Sequence, residues 1–200
     1  MEKRGRKKGS KSEVTKKRII HAAIEIAAER GYTATTTAMI AERAGVSEAL
    51  IFKYFPSKQD LFVHINKEYG EQFLAKMEPV LKSMEDPVEK IKKLVDIHIE
   101  FFGEDKGLLM IWIGGDGGAY VEVEKIYNEV LGRYVEMVER VIREGCEMGL
   151  FKPLSPRMCA VAFIGIVQSI LVHLFIRKEG WSEEKVREGM TSLALGGLLK

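Results

Sequence analysis

Hydrophobic residues recur every three or four positions along most of the chain, the spacing that places them on one face of an α-helix. The first such stretch runs from Thr15 to Arg30, and Gly31 directly after it is a typical helix end. Its apolar positions are Ile19, Ile20, Ala23, Ile26 and Ala27. This pattern predicts a first amphipathic helix over residues 15–30.

Two short helices are predicted next from their capping and stop residues. Thr36 and Thr37 offer side-chain oxygens that can cap a helix ending at Gly45. Ser47 can cap another, which Pro56 stops because proline lacks the amide that helix continuation needs. The chain therefore turns sharply between two short helices at Gly45.

The remaining sequence continues the helical pattern to its end, and no segment alternates with the period of two that is typical of a strand. The glycine-rich segment 114–118 predicts a loop. Further helices are expected over 58–84, 87–103, 105–113, 120–148, 157–178 and 183–198. The sequence thus predicts an all-α fold of about nine helices.

The segment TAMIAERAGVSEALIFKY, residues 37–54, has the steric pattern of a helix-turn-helix. Ala41 is small where the two helices must cross closely, and Gly45 permits the positive backbone angle of the turn. Because the second helix starts after Ser47, the side chains facing outward near its start are Glu48, Ala49, Leu50 and Lys53. In such a motif these side chains enter the major groove of DNA.

The charge distribution supports a polyanionic partner. The formal net charge is +2, but residues 1–18 hold nine Lys or Arg against two Glu, so that segment alone carries +7. A basic arm over residues 1–14 on a mildly acidic body fits contact with DNA phosphates. A solubilising tail is the alternative reading of the arm.

The segment GYTATTTAMIAERAGVSEALIFKYFPSKQDLF resembles the N-terminal signature of the TetR family of transcriptional regulators, over about residues 15–65. The resemblance implies a helix-turn-helix domain over 15–60 and a helical ligand-binding and dimerisation domain over 61–200. It also implies a homodimer built on the last two long helices. The function implied is a ligand-responsive regulator, most commonly a repressor, that releases a palindromic operator when it binds a small apolar effector.

Position by position, the resemblance implies contacts between this chain and DNA. The residues placed at phosphates are Thr37, Phe52, Tyr54 and Lys58. Those placed at base edges are Ala38, Glu48, Ala49, Leu50 and Lys53, with the caps Thr36 and Ser47 beside them. Ala49, Leu50 and Phe52 depart from a common glycine, threonine and tyrosine, which makes the expected base readout unusually apolar.

Purely structural roles remain open for several of these residues. Thr36 and Thr37 are helix caps in either case, and Lys58 fits a solvated first-turn residue. One of Phe52 and Tyr54 is expected to pack beneath the recognition helix, with Tyr54 favoured for DNA contact because its hydroxyl needs a partner.

The effector pocket is implied by the resemblance, and bulky soft residues in the middle of the chain suit its wall. The residues predicted to bind the effector are His98, Phe101, Phe102, Met110, Trp112, Tyr127, Met137 and Phe163. Ordinary packing between helices is the alternative for each of them.

The helix predicted over 157–178 is apolar nearly all round, which favours a partner surface. The predicted dimer contacts are Phe163, Val167, Ile170, Leu171, Leu174 and Leu195. The run 159–176 also approaches the length of a membrane span, but Gln168, Ser169 and His173 interrupt it, so a buried helix is preferred.

Other function classes lack support in the sequence. Catalytic motifs such as HExxH, GxSxG or a P-loop do not occur, so no enzyme, cofactor or metal site is expected. Cys146 and Cys159 form no CxxC pair, and the charged N-terminus is unlike a secretory signal, which favours a reduced cytoplasmic protein. The alternative function is a DNA-binding protein without a small ligand, either architectural or controlled by a protein partner.

Overall fold

The computed structural model describes residues 8–113 and 121–200, and there the chain forms nine α-helices and no β-sheet. They are α1 Lys8–Ala34, α2 Thr37–Ala44, α3 Glu48–Tyr54, α4 Lys58–Ser83, α5 Pro87–Glu104, α6 Lys106–Ile113, α7 Val121–Glu147, α8 Pro156–Leu171 and α9 Glu183–Leu198. The π-helical segment Val172–Arg177 continues α8. The predicted all-α fold is confirmed, whereas the loop predicted over 114–118 lies outside the described residues.

Capping side chains set several helix starts, and two of them, Thr36 and Ser47, were predicted. Thr36, Ser47 and Ser57 each accept a hydrogen bond from the backbone amide three residues later, at the starts of α2, α3 and α4. Ser182 does the same for α9. These caps satisfy amides that have no partner inside the helix, so local sequence sets the boundaries.

The first helix begins at Lys8, seven residues earlier than the predicted start at Thr15. The segment 8–14 has no apolar stripe, so periodicity could not detect its helical turns. Half of the predicted basic arm, residues 1–14, is therefore helical. At the other end, Gly31 has a non-helical φ of 79°, which places a break at the predicted stop, although helical geometry resumes as far as Ala34.

One continuous hydrophobic core joins the N-terminal helices to the rest of the molecule. Helix α1 packs more extensively on α6 than on α4. The approach is close at Gly107 of α6, where a Cβ would lie 2.6 Å from Cγ2 of Ile24. Helices α4 and α7 also meet tightly, because a Cβ on Gly70 would lie 2.7 Å from a methyl group of Val130.

Helix α8 and its extension, Pro156–Arg177, are long and apolar enough to cross a membrane by length and composition alone. Its inward face packs on α7 and α9 of the same chain, with Phe163, Val167 and Leu171 buried. This packing agrees with the buried helix expected from the sequence.

Candidate DNA-binding face and effector cavity

The turn between α2 and α3 is held by glycine geometry and by one arginine. Gly45 has φ 62° and ψ 44°, a left-handed conformation that a residue with a Cβ adopts at a cost. The Arg18 guanidinium of α1 donates hydrogen bonds to the carbonyls of Ala44 and Gly45. The turn is therefore fastened to α1, which fixes how α3 projects from the molecule.

Helix α3 presents the outward face that the sequence predicted. Ile51 is fully buried beneath the helix, while Glu48, Ala49 and Lys53 are exposed. Phe52 is 46% exposed, an unusual position for a phenylalanine on a monomer surface. Leu50 is half-buried, Ala38 of α2 is exposed next to this face, and the caps Thr36 and Ser47 are exposed.

Two predicted DNA-contact residues bond to each other. The Thr37 hydroxyl donates to a carboxylate oxygen of Glu48, which links the start of α2 to the start of α3. In this conformation the Glu48 carboxylate is engaged within the protein. A contact from Glu48 to a cytosine amine, which remains a prediction, would have to share that carboxylate.

Of Tyr54 and Phe52, the ring that packs on the core is Tyr54, which the sequence had favoured for DNA contact; that contact stays a prediction. Tyr54 is the half-buried ring that packs on the core, and its hydroxyl lies 3.1 Å from Oγ of Ser12 in the early part of α1. Phe52 is the exposed ring. Tyr54 therefore already has a partner for its hydroxyl inside the protein.

Lys58 is engaged within the protein and is not simply solvated. Its ammonium donates to the carbonyls of Tyr32 at 3.1 Å and Thr35 at 2.9 Å, and lies 4.2 Å from the centre of the Tyr32 ring. These contacts tie the start of α4 to the end of α1. One of the three ammonium hydrogens remains for the phosphate contact that the resemblance implies.

A small cavity lies in the helical body between α4, α5, α6, α7 and α8. Its volume is about 20 Å³, roughly the room that one water molecule needs. Its lining residues are Asn66, Phe73, His98, Phe102, Trp112, Tyr127, Val130, Leu131, Tyr134 and Gln168. In this conformation the cavity has little free room, and side chains must move before it admits a larger ligand.

His98 is held neutral in the wall of this cavity. Its Nδ1–H donates to the Leu94 carbonyl at 2.6 Å, so Nε2 accepts from the Tyr134 hydroxyl at 2.8 Å. Burial lowers the pKa of His98 to about 4 and raises the pKa of Tyr134 well above its ordinary value. Among the described residues, the cavity lining therefore contains no ionised side chain.

The predicted effector residues divide into two groups. His98, Phe102, Trp112 and Tyr127 line the cavity. Phe101 and Phe163 are buried beside it, in ring contact with Phe73 and His98 respectively, and are absent from its wall. Met110 and Met137 are also absent from the wall, and Met137 lines a separate surface cleft beside Lys90 and Glu144.

Several wall residues were missing from the sequence prediction. On α7 the wall residues are three or four positions apart and share one face with the predicted residue Tyr127. This spacing could have identified Val130, Leu131 and Tyr134. The amides of Asn66 and Gln168 gave no such signal, because polar residues on a helix are normally solvated. The other wall residue left out of the prediction is Phe73.

Most of the predicted dimer contacts face the interior of the protomer, and their part in a dimer stays a prediction. Phe163, Val167, Leu171 and Leu195 are buried within one protomer. Ile170 and Leu174 are partly buried against the same core. The exposed apolar side chains on α8 and α9 are instead Met158, Val161, Ile166 and Leu193.

Glycines lie between these exposed side chains. A Cβ at Gly165, Gly189, Gly196 or Gly197 would meet no other atom within 4 Å. The outer face of α8 and α9 is thus both apolar and free of bulk, which favours close approach of another helix pair.

A three-helix head with an outward recognition helix, joined to a helical body with its own cavity, defines the class of helix-turn-helix regulators with a sensory domain. Two family models match this chain: "Bacterial regulatory proteins, tetR family" over residues 19–65 and "Tetracyclin repressor-like, C-terminal domain" over residues 84–198. The chain belongs to the TetR family. It is a ligand-responsive, DNA-binding transcriptional regulator that acts as a homodimer, in a family of regulators and not of enzymes.

Individual proteins that match this chain are consistent with the family assignment. The fatty acid metabolism regulator protein of Bacillus subtilis is 25% identical over 90% of this chain and 93% of its own length. The structure of the fatty acid degradation regulator FadR from Bacillus halodurans has a TM-score of 0.79 and 26% identity, covering 92% of this chain and 95% of that one.

A third comparison shows the same fold with a ligand bound. The transcriptional regulator FadR from Bacillus subtilis, in complex with stearoyl-CoA, has a TM-score of 0.77 and 24% identity, covering 90% of this chain and 98% of that one.

Proposed function

We propose that this protein is a cytoplasmic repressor that leaves a palindromic operator when a fatty acyl thioester, such as a long-chain acyl-CoA, enters the cavity of its helical body. The observation that carries the proposal is the neutrality of the cavity wall, which combines aromatic rings with the uncharged polar side chains of Asn66, Tyr127 and Gln168. The names of the Bacillus relatives point to the same ligand class.

The wall distinguishes a thioester from a free fatty acid. Among the residues that the structure describes, a carboxylate buried in this cavity would have no cation to pair with, because His98 is neutral and the lining holds no Lys or Arg. Burial of an unpaired charge costs far more than burial of a neutral carbonyl. An acyl-CoA keeps its charged phosphates at the far end of the molecule, so its acyl chain and thioester can enter alone.

Opening of the cavity supplies a route to the DNA-binding head. Phe73 on α4 and Trp112 on α6 lie in ring contact, so a ligand that separates them displaces one helix or both. Helix α4 starts at Lys58, directly after α3, while α6 packs on α1. A small rotation of the head changes the spacing of the two recognition helices, which must match successive turns of the major groove.

Within the head, we assign base readout to Ala38, Ala49, Leu50 and Lys53, with Phe52 beside them. These side chains share the outward side of α2 and α3, with Leu50 half-buried. Leu50 and Ala49 suit thymine methyl groups, and Lys53 suits guanine or phosphate.

The test is operator binding to the DNA upstream of the protein's own gene, measured by footprinting and fluorescence anisotropy. The wild type should protect a palindrome, palmitoyl-CoA should release it, and palmitate at equal concentration should not. Lys53→Ala should weaken binding and flatten its salt dependence by about two units of slope, about one for each protomer of the dimer, whereas Lys125→Ala on the exposed surface of α7 should not. Equal binding to random DNA would support the architectural alternative, and release by palmitate would contradict the neutral-ligand argument.

A further inference from the structure

We propose that the indole N–H of Trp112 donates a hydrogen bond to the carbonyl oxygen of the bound effector, which makes Trp112 a specificity-determining residue of the cavity. The inference rests on the proposed function, since it names the residue that would recognise the thioester. It is carried by one unpartnered polar atom.

The Nε1 atom of Trp112 is buried and has no hydrogen-bond partner in the part of the chain that the structure describes. Buried tryptophan N–H groups normally find an acceptor, and an unsatisfied one lowers the stability of the fold. The surroundings of the indole are aromatic: its ring centre lies 5.4 Å from that of Phe73 and 5.6 Å from that of Phe102. None of these rings offers an oxygen or nitrogen acceptor.

The other polar groups of the cavity wall have partners or contact with solvent. His98 and Tyr134 bond to each other, and the Asn66 amide donates to the Phe62 carbonyl at 2.9 Å. Tyr127 and Gln168 are only partly buried, so water can serve them. Among the described wall residues, Trp112 therefore holds the unsatisfied buried donor.

An indole N–H can only donate, so the ligand must bring an acceptor. In an acyl thioester the carbonyl oxygen is the one acceptor next to the apolar chain. A ligand with the same chain and head group but no carbonyl would leave Trp112 unsatisfied, which is the basis of a direct test.

The experiment compares palmitoyl-CoA with S-hexadecyl-CoA, in which a CH₂ group replaces the thioester carbonyl, by isothermal titration calorimetry on the full-length dimer. The wild type should bind the thioester roughly fivefold or more tightly, the size expected for one hydrogen bond. In Trp112→Phe the ring is kept and the donor is lost, so the preference should fall below about twofold. Phe102→Leu is the matched control, since it should weaken both ligands and keep the preference.

A second measurement needs no change at Trp112. The protein has two tryptophans, so Trp181→Phe leaves Trp112 as the sole indole. In that variant labelled with ¹⁵N-indole, palmitoyl-CoA should move the N–H proton resonance downfield and S-hexadecyl-CoA should not.

The outcomes separate the inference from the function on which it rests. Equal wild-type affinity for both ligands, or an undiminished preference in Trp112→Phe, would overturn the role of Trp112 while leaving operator release by palmitoyl-CoA intact. Failure of the wild type to bind either ligand would overturn the proposed function and this inference with it.

Discussion

Gly45 shows how one residue can set the geometry of the whole DNA-binding head. An alanine there must hold a positive φ, and its Cβ would lie 2.9 Å from Nη2 of Arg18. We expect Gly45→Ala to lower the free energy of unfolding by about 1 kcal/mol or more. It should also weaken operator binding, because the arginine that fastens the turn is displaced.

Urea denaturation and operator titration of the same variant check this expectation. Gly132→Ala is the control, since a Cβ at Gly132 of α7 meets nothing within 4 Å and alanine favours a helix. If Gly45→Ala matched Gly132→Ala in stability, the left-handed turn would not constrain the head.

His98 makes stability depend on pH in a definite direction. Its pKa is about 4 in the folded protein, against 6.5 when unperturbed, so between these values the unfolded chain binds more protons. The free energy of unfolding should therefore fall as the pH drops from 6.5 towards 4, by up to about 3 kcal/mol from this group.

The double variant His98→Leu with Tyr134→Phe removes the titrating group and its hydrogen-bond partner together, so no buried hydroxyl is left unsatisfied. Urea denaturation at pH 7 and pH 5 should show a smaller loss of stability in the double variant than in the wild type. Parallel pH curves for the two proteins would contradict a neutral, buried His98.

At the scale of helices, the sequence predicted elements better than contacts. Helix ends were predictable because caps such as Ser47 and stops such as Pro56 act within a few residues. The start of α1 at Lys8 was not, because its turns carry no apolar stripe. The bond from Tyr54 to Ser12 depends on residues far apart in the chain, which no local pattern encodes.

The cavity wall and the exposed face of α8 were harder to predict, for a related reason. Phe102 and Phe163 are both buried aromatics, and only the positions of five helices decide that the first reaches the cavity and the second does not. Helix α8 has two apolar faces, and its sequence does not say which face the protomer itself covers.

At the scale of helices, the prediction concerns dimerisation through the outward face of α8. We propose that this face forms the dimer contact; Val161 lies on it and is 54% exposed, so Val161→Asp should place a charge in the contact and yield monomers. Sedimentation equilibrium measures the result. Met148→Asp, at a site that is 60% exposed beyond the end of α7, should leave the dimer intact. Dissociation by both variants, or by neither, would place the contact elsewhere.

For the molecule as a whole, the contact between α6 and α1 connects the sensory body to the head. A Cβ on Gly107 would approach both Cγ2 of Ile24 and, at 3.2 Å, its backbone oxygen. We expect Gly107→Ala to push α6 away from α1 and to reduce operator affinity several-fold without any effector.

Anisotropy titrations with and without palmitoyl-CoA measure this effect, again with Gly132→Ala as the control. Because the substitution would already displace the helix, the additional release caused by palmitoyl-CoA should shrink. An unchanged affinity and an unchanged response would show that α4 alone carries the signal.

The packing of α1 against α6 also limits how this protein can exchange parts with its relatives. The head is one continuous stretch of sequence, but part of its hydrophobic surface is covered by the body, since Ile24 packs against α6. In a chimera that joins this head to another regulator's body, α1 and the new α6 would have side chains that were not selected to pack together. Recombination at the boundary before α4 should therefore yield working hybrids only when the new α6 fits the old α1.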